Sequence, residues 1–147
     1  PLVKQFVRDA EIAKFCRTLS MLLKTGLPVH ESLGLATRTL DNEALRVQLE
    51  NTGKEIINQG VTLSVSLGKV KIFPSFAINM IAVGEEGGKL EESLNGVATA
   101  YEKEVDQAIG IMTSLIEPLL ILTVGGIVGF IVFAMLLPIF DIGVMAK

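Results

Sequence analysis

The feature that most constrains this chain is a long uncharged stretch near its C-terminal end. No charged residue lies between Glu117 and Asp141, so 23 consecutive residues, from Pro118 to Phe140, carry no charge. At about 1.5 Å per residue, a helix of this length spans roughly 35 Å, slightly more than a hydrocarbon core of about 30 Å. A chain of 147 residues is too small to surround such a helix as a soluble core. The stretch therefore predicts a tilted transmembrane helix, and its late position is not that of a secretory signal peptide.

The rest of the composition excludes several classes of protein. The net charge of -3 and the scattered Lys and Arg residues argue against nucleic-acid binding. The chain has one cysteine, Cys16, and one histidine, His30, which cannot form an internal disulfide or a structural zinc site. Gly34 stands where a zinc-protease helix needs its second histidine. Cys16 lies on an apolar stripe and is expected to pack in the core. Without a phosphate-binding loop or a catalytic set, we expect no enzyme, no cofactor and no metal.

Apolar residues at spacings of three and four predict helices along the first half of the chain. The first is expected from Glu11 to Lys24, with Asp9 as N-cap and Gly26 as the C-terminal stop. The second begins at Pro28 and packs antiparallel to the first. A third is predicted over residues 43–59, with Gly60 ending it and with inward side chains at Leu45, Leu49, Ile56 and Ile57.

Two further elements precede a glycine-rich break. Thr62 is expected to cap a short helical turn that carries Leu63 and Leu67. Another helix is predicted to start at Phe73-Pro74 and to stop at Gly84. Its expected buried side chains are Phe76, Met80, Ile81 and Val83.

The last predicted helix carries a sustained heptad seam and then enters the membrane stretch. The seam comprises Leu90, Leu94, Val97, Tyr101, Val105, Ala108, Met112 and Leu115. Pro118 removes a backbone donor at the junction, so a kink or restart is expected there. The predicted fold is thus all-α, a six-helix antiparallel bundle whose last helix continues into a C-terminal transmembrane helix. The expected division is a bundle over residues 1–110, a membrane-entering helix over 111–140 and a short tail over 141–147.

The break reads Gly84-Glu85-Glu86-Gly87-Gly88, and two interpretations of it are open. Glycines that supply positive φ angles favour a structural turn. The alternative is an acidic patch that meets a basic partner surface. This patch would comprise Glu85, Glu86, Glu91 and Glu92.

Small residues in the membrane stretch suggest a packing face. Gly125 and Gly129 lie four residues apart, with Gly126 beside them, which gives a flat groove for another transmembrane helix. At the rim of the stretch, Glu117 is either an interfacial acid or a partner for a polar group on a neighbouring helix.

The order of motifs resembles the C-terminal domain of the type II secretion F family. The resemblance covers nearly the whole chain and rests on six motifs in the family's order, none of them specific alone. Gly26, Pro28, Pro74, Gly84, Gly88, Pro118 and Pro138 are its structural positions here. The motifs are Leu22-Leu23-Lys24-Thr25-Gly26-Leu27-Pro28-Val29, Phe73-Pro74, Gly84-Glu85-Glu86-Gly87-Gly88-Lys89-Leu90, Tyr101-Glu102, Ile116-Glu117-Pro118-Leu119 and Leu137-Pro138-Ile139-Phe140.

The resemblance implies an inner-membrane platform protein of a type II secretion or type IV pilus assembly machine. It implies a duplicated six-helix cytoplasmic bundle, of which this chain is the second copy with the last membrane span. The family couples a cytoplasmic assembly ATPase to the insertion or extraction of pilin or pseudopilin subunits. The implied partners are that ATPase, pilin-like transmembrane helices, other platform components, membrane lipid and further copies of the chain.

Local charge does not determine the orientation, because only Lys103 and Lys147 flank the membrane stretch closely. The resemblance implies a cytoplasmic bundle and a tail from Asp141 to Lys147 outside, and a free Cys16 is compatible with a reducing compartment. The alternative function is a tail-anchored helical regulator, which acts through an open apolar groove on a self-sufficient bundle. A membrane enzyme comes third, because no catalytic set is present.

Overall fold

In the computed structural model, which describes residues 2–145, the chain forms six α-helices. The first three are α1 (Leu2–Lys24), α2 (Val29–Thr37) and α3 (Glu43–Gln59). The others are α4 (Leu63–Gly68), α5 (Ser75–Glu86) and α6 (Leu90–Met145). The described residues contain no β-strand. The predicted all-α fold of six helices with a long, apolar last helix is confirmed.

The described chain forms two compact units, one ending at Asp106 and one beginning at Gln107. The first unit has a single apolar core, in which the Phe15 and Phe73 rings meet edge to face at 5.6 Å. Cys16 is fully buried in this core, and burial raises the pKa of its thiol to about 12. The expectation that Cys16 packs as a small apolar side chain is confirmed.

Local capping explains several of the helix boundaries. The side chain of Asn42 accepts a hydrogen bond from the backbone N–H of Leu45 at the start of α3, and Thr62 does the same for Val65 in α4. Gly26 and Gly60 have φ angles of 88° and 66°, which favour glycine directly after a helix. The predicted bounds of α3 and the predicted Thr62 cap are confirmed.

The prediction that Asp9 caps the first helix is wrong. The helix begins at Leu2, and Asp9 is a buried residue within it. No Pro or Gly interrupts residues 2–9, so the helix continues towards the N-terminus. The carboxylate of Asp9 accepts two hydrogen bonds from Arg8, at 3.1 and 3.2 Å, which compensates for its burial.

The prediction that α5 ends at Gly84 is also wrong, because the helix continues to Glu86. Its buried residues are Ala77, Ile81 and Gly84, whereas Phe76 and Val83, which were expected inside, are exposed. Close packing against α6 explains why position 84 is a glycine. A Cβ at this position would lie 2.5 Å from Cβ of Ser93 in α6 and 3.0 Å from the carbonyl oxygen of Lys89. The small residues Ala77 and Gly84 therefore form the close-packed stripe, and the larger residues beside them stay outside.

Two other expectations of burial fail. Ile57 in α3 is exposed, and so are Met112 and Leu115 in the second half of the predicted seam of α6. The buried part of that seam comprises Leu94, Val97 and Tyr101. Helix α6 continues without interruption through Pro118 and Pro138. The predicted tail enters this helix as far as Met145, and its last two residues, 146 and 147, lie outside the described residues.

The close approach of α5 and α6 predicts opposite effects of one substitution at two glycines. Gly84→Ala should lower the free energy of unfolding by about 1–3 kcal/mol, because the added methyl overlaps Ser93. Gly34→Ala should raise it by about 0.4–1 kcal/mol, because Gly34 lies within α2 and an added Cβ meets no atom within 4 Å. Chemical denaturation of both variants in detergent tests this. Equal effects at the two positions would contradict the packing argument.

Candidate functional site

Glu85, predicted as one of four acids on a docking patch, makes contacts within the bundle. Its carboxylate accepts hydrogen bonds from the backbone N–H groups of Leu63, at 2.7 Å, and Ser64, at 2.8 Å. These are free donors of the first turn of α4, where the helix dipole also favours a negative charge. Glu85 therefore connects the end of α5 to the start of α4.

The other three acids, Glu86, Glu91 and Glu92, are exposed around the turn between α5 and α6. Gly88 has a φ angle of 68°, and the backbone N–H of Lys89 donates to the carbonyl of Gly84 at 2.8 Å, so this turn is tightly closed. Lys89 lies 3.9 Å from Glu92 and is the one cation within the segment 85–92. The turn presents three exposed carboxylates, and their role in docking remains a prediction.

A second polar cluster, which the sequence reasoning missed, connects α1 to α6. Nε and Nη2 of Arg17 donate to the two carboxylate oxygens of Glu102, both at 2.9 Å. Nη2 also donates to the Thr99 hydroxyl at 3.1 Å, and Nη1 donates to the side-chain carbonyl of Asn95. We call these four residues the Arg17 clamp. The signal in the sequence was the polar stripe of Asn95, Thr99 and Glu102, at spacings of four and three on one face of α6.

The Arg17 clamp is electrostatically coupled. The hydrogen bond from Arg17 lowers the pKa of the Glu102 carboxyl, and the same bond raises the pKa of Arg17. A planar guanidinium that meets both oxygens of one carboxylate gives a stronger and more directional pair than a single contact. Glu102 lies one turn before Asp106, the last residue of the first unit, so the clamp holds the end of the α6 segment that belongs to the bundle.

A further contact lies at the other end of this α6 segment. The Ser20 hydroxyl donates to the backbone carbonyl of Glu91 at 2.8 Å. Ser20 is buried, so this hydrogen bond also satisfies a polar group inside the bundle. Because Ser20 meets Glu91 while the earlier Arg17 meets the later Glu102, α1 and this part of α6 run antiparallel.

The second unit is the apolar part of α6. One window of 18 residues has a mean hydropathy of 2.7 and no buried residue, so the helix is long and apolar enough to cross a membrane. A Cβ at Gly125, Gly126 or Gly129 would meet no atom within 4 Å. The predicted packing face is therefore open, and Glu117 is an exposed acid at the predicted rim.

Four of the seven predicted structural positions form turns or precede helices, whereas Gly84 lies within α5 and Pro118 and Pro138 lie within α6. Gly26 and Gly88 have positive φ angles, and Pro28 and Pro74 lie directly before α2 and α5. Pro needs no N–H donor at such a position. Among residues 2–145, no group of three or more His, Cys, Asp or Glu side chains is arranged to hold a metal ion.

Comparison with known proteins gives one family. The family model described as "Type II secretion system (T2SS), protein F" matches residues 15–138. The type IV pilus assembly protein PilC of Thermus thermophilus is 38% identical over 143 residues, which cover 97% of this chain and 35% of the relative. The type IV pilus assembly protein TapC of Aeromonas hydrophila is 36% identical over 143 residues, covering 97% of this chain and 34% of TapC.

A relative named for type II secretion is nearly as similar to this chain. The type II secretion system protein F of Pseudomonas aeruginosa is 34% identical over 142 residues, which cover 97% of this chain and 35% of the relative. The chain thus spans about a third of the length of these relatives.

The Arg17 clamp predicts an acid-dependent part of the stability. The pKa of Glu102 is lowered from 4.5 in the folded protein, so its stabilising effect is present above pH 4.5 and is lost as the pH falls through the folded pKa. Arg17→Met should lower the free energy of unfolding at pH 7 by about 1 kcal/mol, since the pair is partly exposed and screened. Denaturation at pH 7 and pH 3.5 measures both effects.

The matched control is Glu55→Met, which breaks the single contact between Lys69 and Glu55 at 3.1 Å. This variant should lose less than Arg17→Met at pH 7, because only one bond is removed. Arg17→Met and the wild type could also lose the same amount of stability between pH 7 and pH 3.5. In that case the ion pair with Glu102 is not the source of the acid-dependent loss.

Proposed function

Because the chain belongs to the type II secretion system protein F family, we propose that it forms part of an inner-membrane platform protein in a type II secretion or type IV pilus assembly machine. The printed names of the relatives support both kinds of machine. The observation that carries the proposal is α6, whose first part closes the core of the bundle and whose second part is a candidate membrane span. The family match over residues 15–138 includes both parts.

In this proposal the platform couples a cytoplasmic assembly ATPase to the insertion or extraction of pilin or pseudopilin subunits. The bundle lies in the cytoplasm, where the buried thiol of Cys16 stays reduced. The residues after Asp141 lie outside. The motor contacts the bundle, and pilin-like transmembrane helices contact the membrane part of α6. The Arg17 clamp supports these separate roles of the bundle and the membrane part of α6, because it resists separation of α6 from α1 near the end of the bundle.

Further contacts follow from the same proposal. Glu117 pairs with a polar or charged group of a neighbouring helix or pilin at the membrane rim, where an acid needs such a partner. The open face of Gly125, Gly126 and Gly129 also suits other platform components and further copies of this chain. A tail-anchored regulator with a self-sufficient bundle is less well supported, because the relatives named for assembly and secretion match 97% of this chain.

The exposed acids of the turn between α5 and α6 predict a charge-dependent contact with the ATPase. Reversal of Glu86, Glu91 and Glu92 to Lys in the complete protein should reduce capture of the assembly ATPase by at least about tenfold, since opposite charges across an interface become like charges. Glu85 stays unchanged, because its carboxylate binds the start of α4. A pull-down at two salt concentrations measures the effect.

The control reverses three other exposed acids, Glu31, Glu50 and Glu104, with the same change in net charge. These substitutions should leave capture near the wild-type level. Equal loss in both sets would show a general charge effect, and unchanged capture in the first set would return Glu86, Glu91 and Glu92 to a role in solvation only.

The open glycine face predicts a packing defect in the membrane. Gly125→Leu combined with Gly129→Leu should abolish most filament assembly or secretion while the protein stays inserted, because the side chains keep a neighbouring helix at a distance. Filament shearing or secretion of a reporter measures function, and membrane fractionation measures insertion.

Two larger side chains on the same segment provide the matched control. Val124→Leu combined with Val128→Leu adds volume at positions that are already occupied by branched side chains. Normal assembly is expected for this variant. Normal assembly for the double glycine variant as well would remove the groove from the mechanism.

A further inference from the structure

The first two turns of α1 lie at the edge of the bundle, where Val3 and Val7 line a cavity of about 280 Å³ together with Asn42 and Ile72. None of the residues from Leu2 to Arg8 is buried, whereas Asp9 and most of the residues that follow are. This segment, which we call the α1 start, nevertheless carries three exposed large apolar side chains: Leu2, Val3 and Val7.

The α1 start is amphipathic. Leu2, Val3, Phe6 and Val7 lie within one arc of about 140° on the helix, at 100° per residue, and Lys4, Gln5 and Arg8 lie on the remaining side. The segment contains two cations and no acid, although Arg8 also binds the carboxylate of Asp9. An apolar arc bordered by cations is typical of helices that lie in the headgroup layer of a membrane.

The α1 start lies at the end of the bundle where α6 leaves it. Gln5 and Glu104 line one cavity of about 290 Å³, and Ala10 and Asp106 line another of about 370 Å³. Because α1 runs antiparallel to the part of α6 that lies in the bundle, Leu2 lies roughly 10 Å beyond Asp9 in the direction in which that part of α6 runs towards Asp106.

The membrane span begins close to that end. The twelve residues from Gln107 to Pro118 cover at most roughly 18 Å as a helix, and Glu117 is the one charged residue among them. Several of these residues are themselves large, apolar and exposed, among them Ile109, Ile111 and Met112. Along the chain, Asp106 is therefore separated from the candidate span by at most roughly 18 Å.

We infer that the α1 start is a membrane-surface contact, in which Leu2, Val3 and Val7 enter the headgroup layer and Lys4 and Arg8 meet lipid phosphates. The inference rests on the proposed function only in that α6 crosses a membrane. It gives the bundle a second attachment to the bilayer beside α6, so that the bundle is held by two points.

Nitroxide labels on single introduced cysteines in the full chain, reconstituted in vesicles of phosphatidylethanolamine and phosphatidylglycerol, test this contact. The buried Cys16, with a thiol pKa of about 12, does not react with the label. The measured quantity is collision with oxygen, which concentrates in lipid, relative to collision with a water-soluble nickel chelate. At Val3→Cys and Val7→Cys this ratio should be at least threefold higher than at matched positions on the opposite end of the bundle.

The matched positions are Val83, which is 69% exposed against 64% for Val3, and Val65, which is 53% exposed against 48% for Val7. Both lie near the contact of Glu85 with α4, at the end away from Asp106. Ratios at residues 3 and 7 equal to those at 83 and 65 would overturn the inference. Protection of residues 3 and 7 from both reagents would overturn it too, because protein would then cover the segment.

A label at Ile127→Cys separates this inference from the proposed function. A lipid-like ratio at residue 127 with water-like ratios at residues 3 and 7 rejects the surface contact alone. A water-like ratio at residue 127 rejects the membrane span, and with it both proposals.

Discussion

The structure depends on one helix that has to satisfy two different solvents. In its first four turns α6 buries Leu94, Val97 and Tyr101 against the core and keeps polar residues on its other side. After Asp106 the helix exposes apolar side chains on all sides, which is stable only in lipid or against other helices. The apolar pattern thus changes from one side of the helix to all sides, although the backbone stays helical. This change marks the residue at which the bundle ends.

Polar contacts hold the same segment of α6 against α1 near both of its ends. The Arg17 clamp and the hydrogen bond of Ser20 to Glu91 fix α6 to α1 at two levels. Hydrogen bonds of this kind are directional, so they determine the register of two helices more narrowly than apolar contacts do. An antiparallel partner that is fixed in register also determines where its own first turns lie. The contacts that hold α6 against α1 therefore also determine the position of the α1 start.

The elements that sequence patterns predicted best are those with strong local signals. Asn42, Thr62 and Gly60 mark the ends of α3 and α4 through capping and a positive φ angle, and the long uncharged stretch marks the apolar part of α6. The failures concern tertiary contacts. The burial of Ile81 was predicted correctly, but Ala77 and Gly84 could not be distinguished from their larger neighbours Phe76 and Val83, because a close helix crossing selects small residues where periodicity alone selects large ones. The role of Glu85 depends on partners 21 and 22 residues away, and that of Arg17 on partners 78 to 85 residues away.

The glycines of this chain differ in whether their space is filled. Ser93 occupies the space beside Gly84, so that glycine is explained by a contact within the bundle. At Gly125, Gly126 and Gly129 the same space is empty in the single chain. Each glycine costs a helix roughly 1 kcal/mol relative to alanine, and three within five residues gain nothing from packing inside this chain. The proposed contact with a neighbouring transmembrane helix would supply the compensating packing.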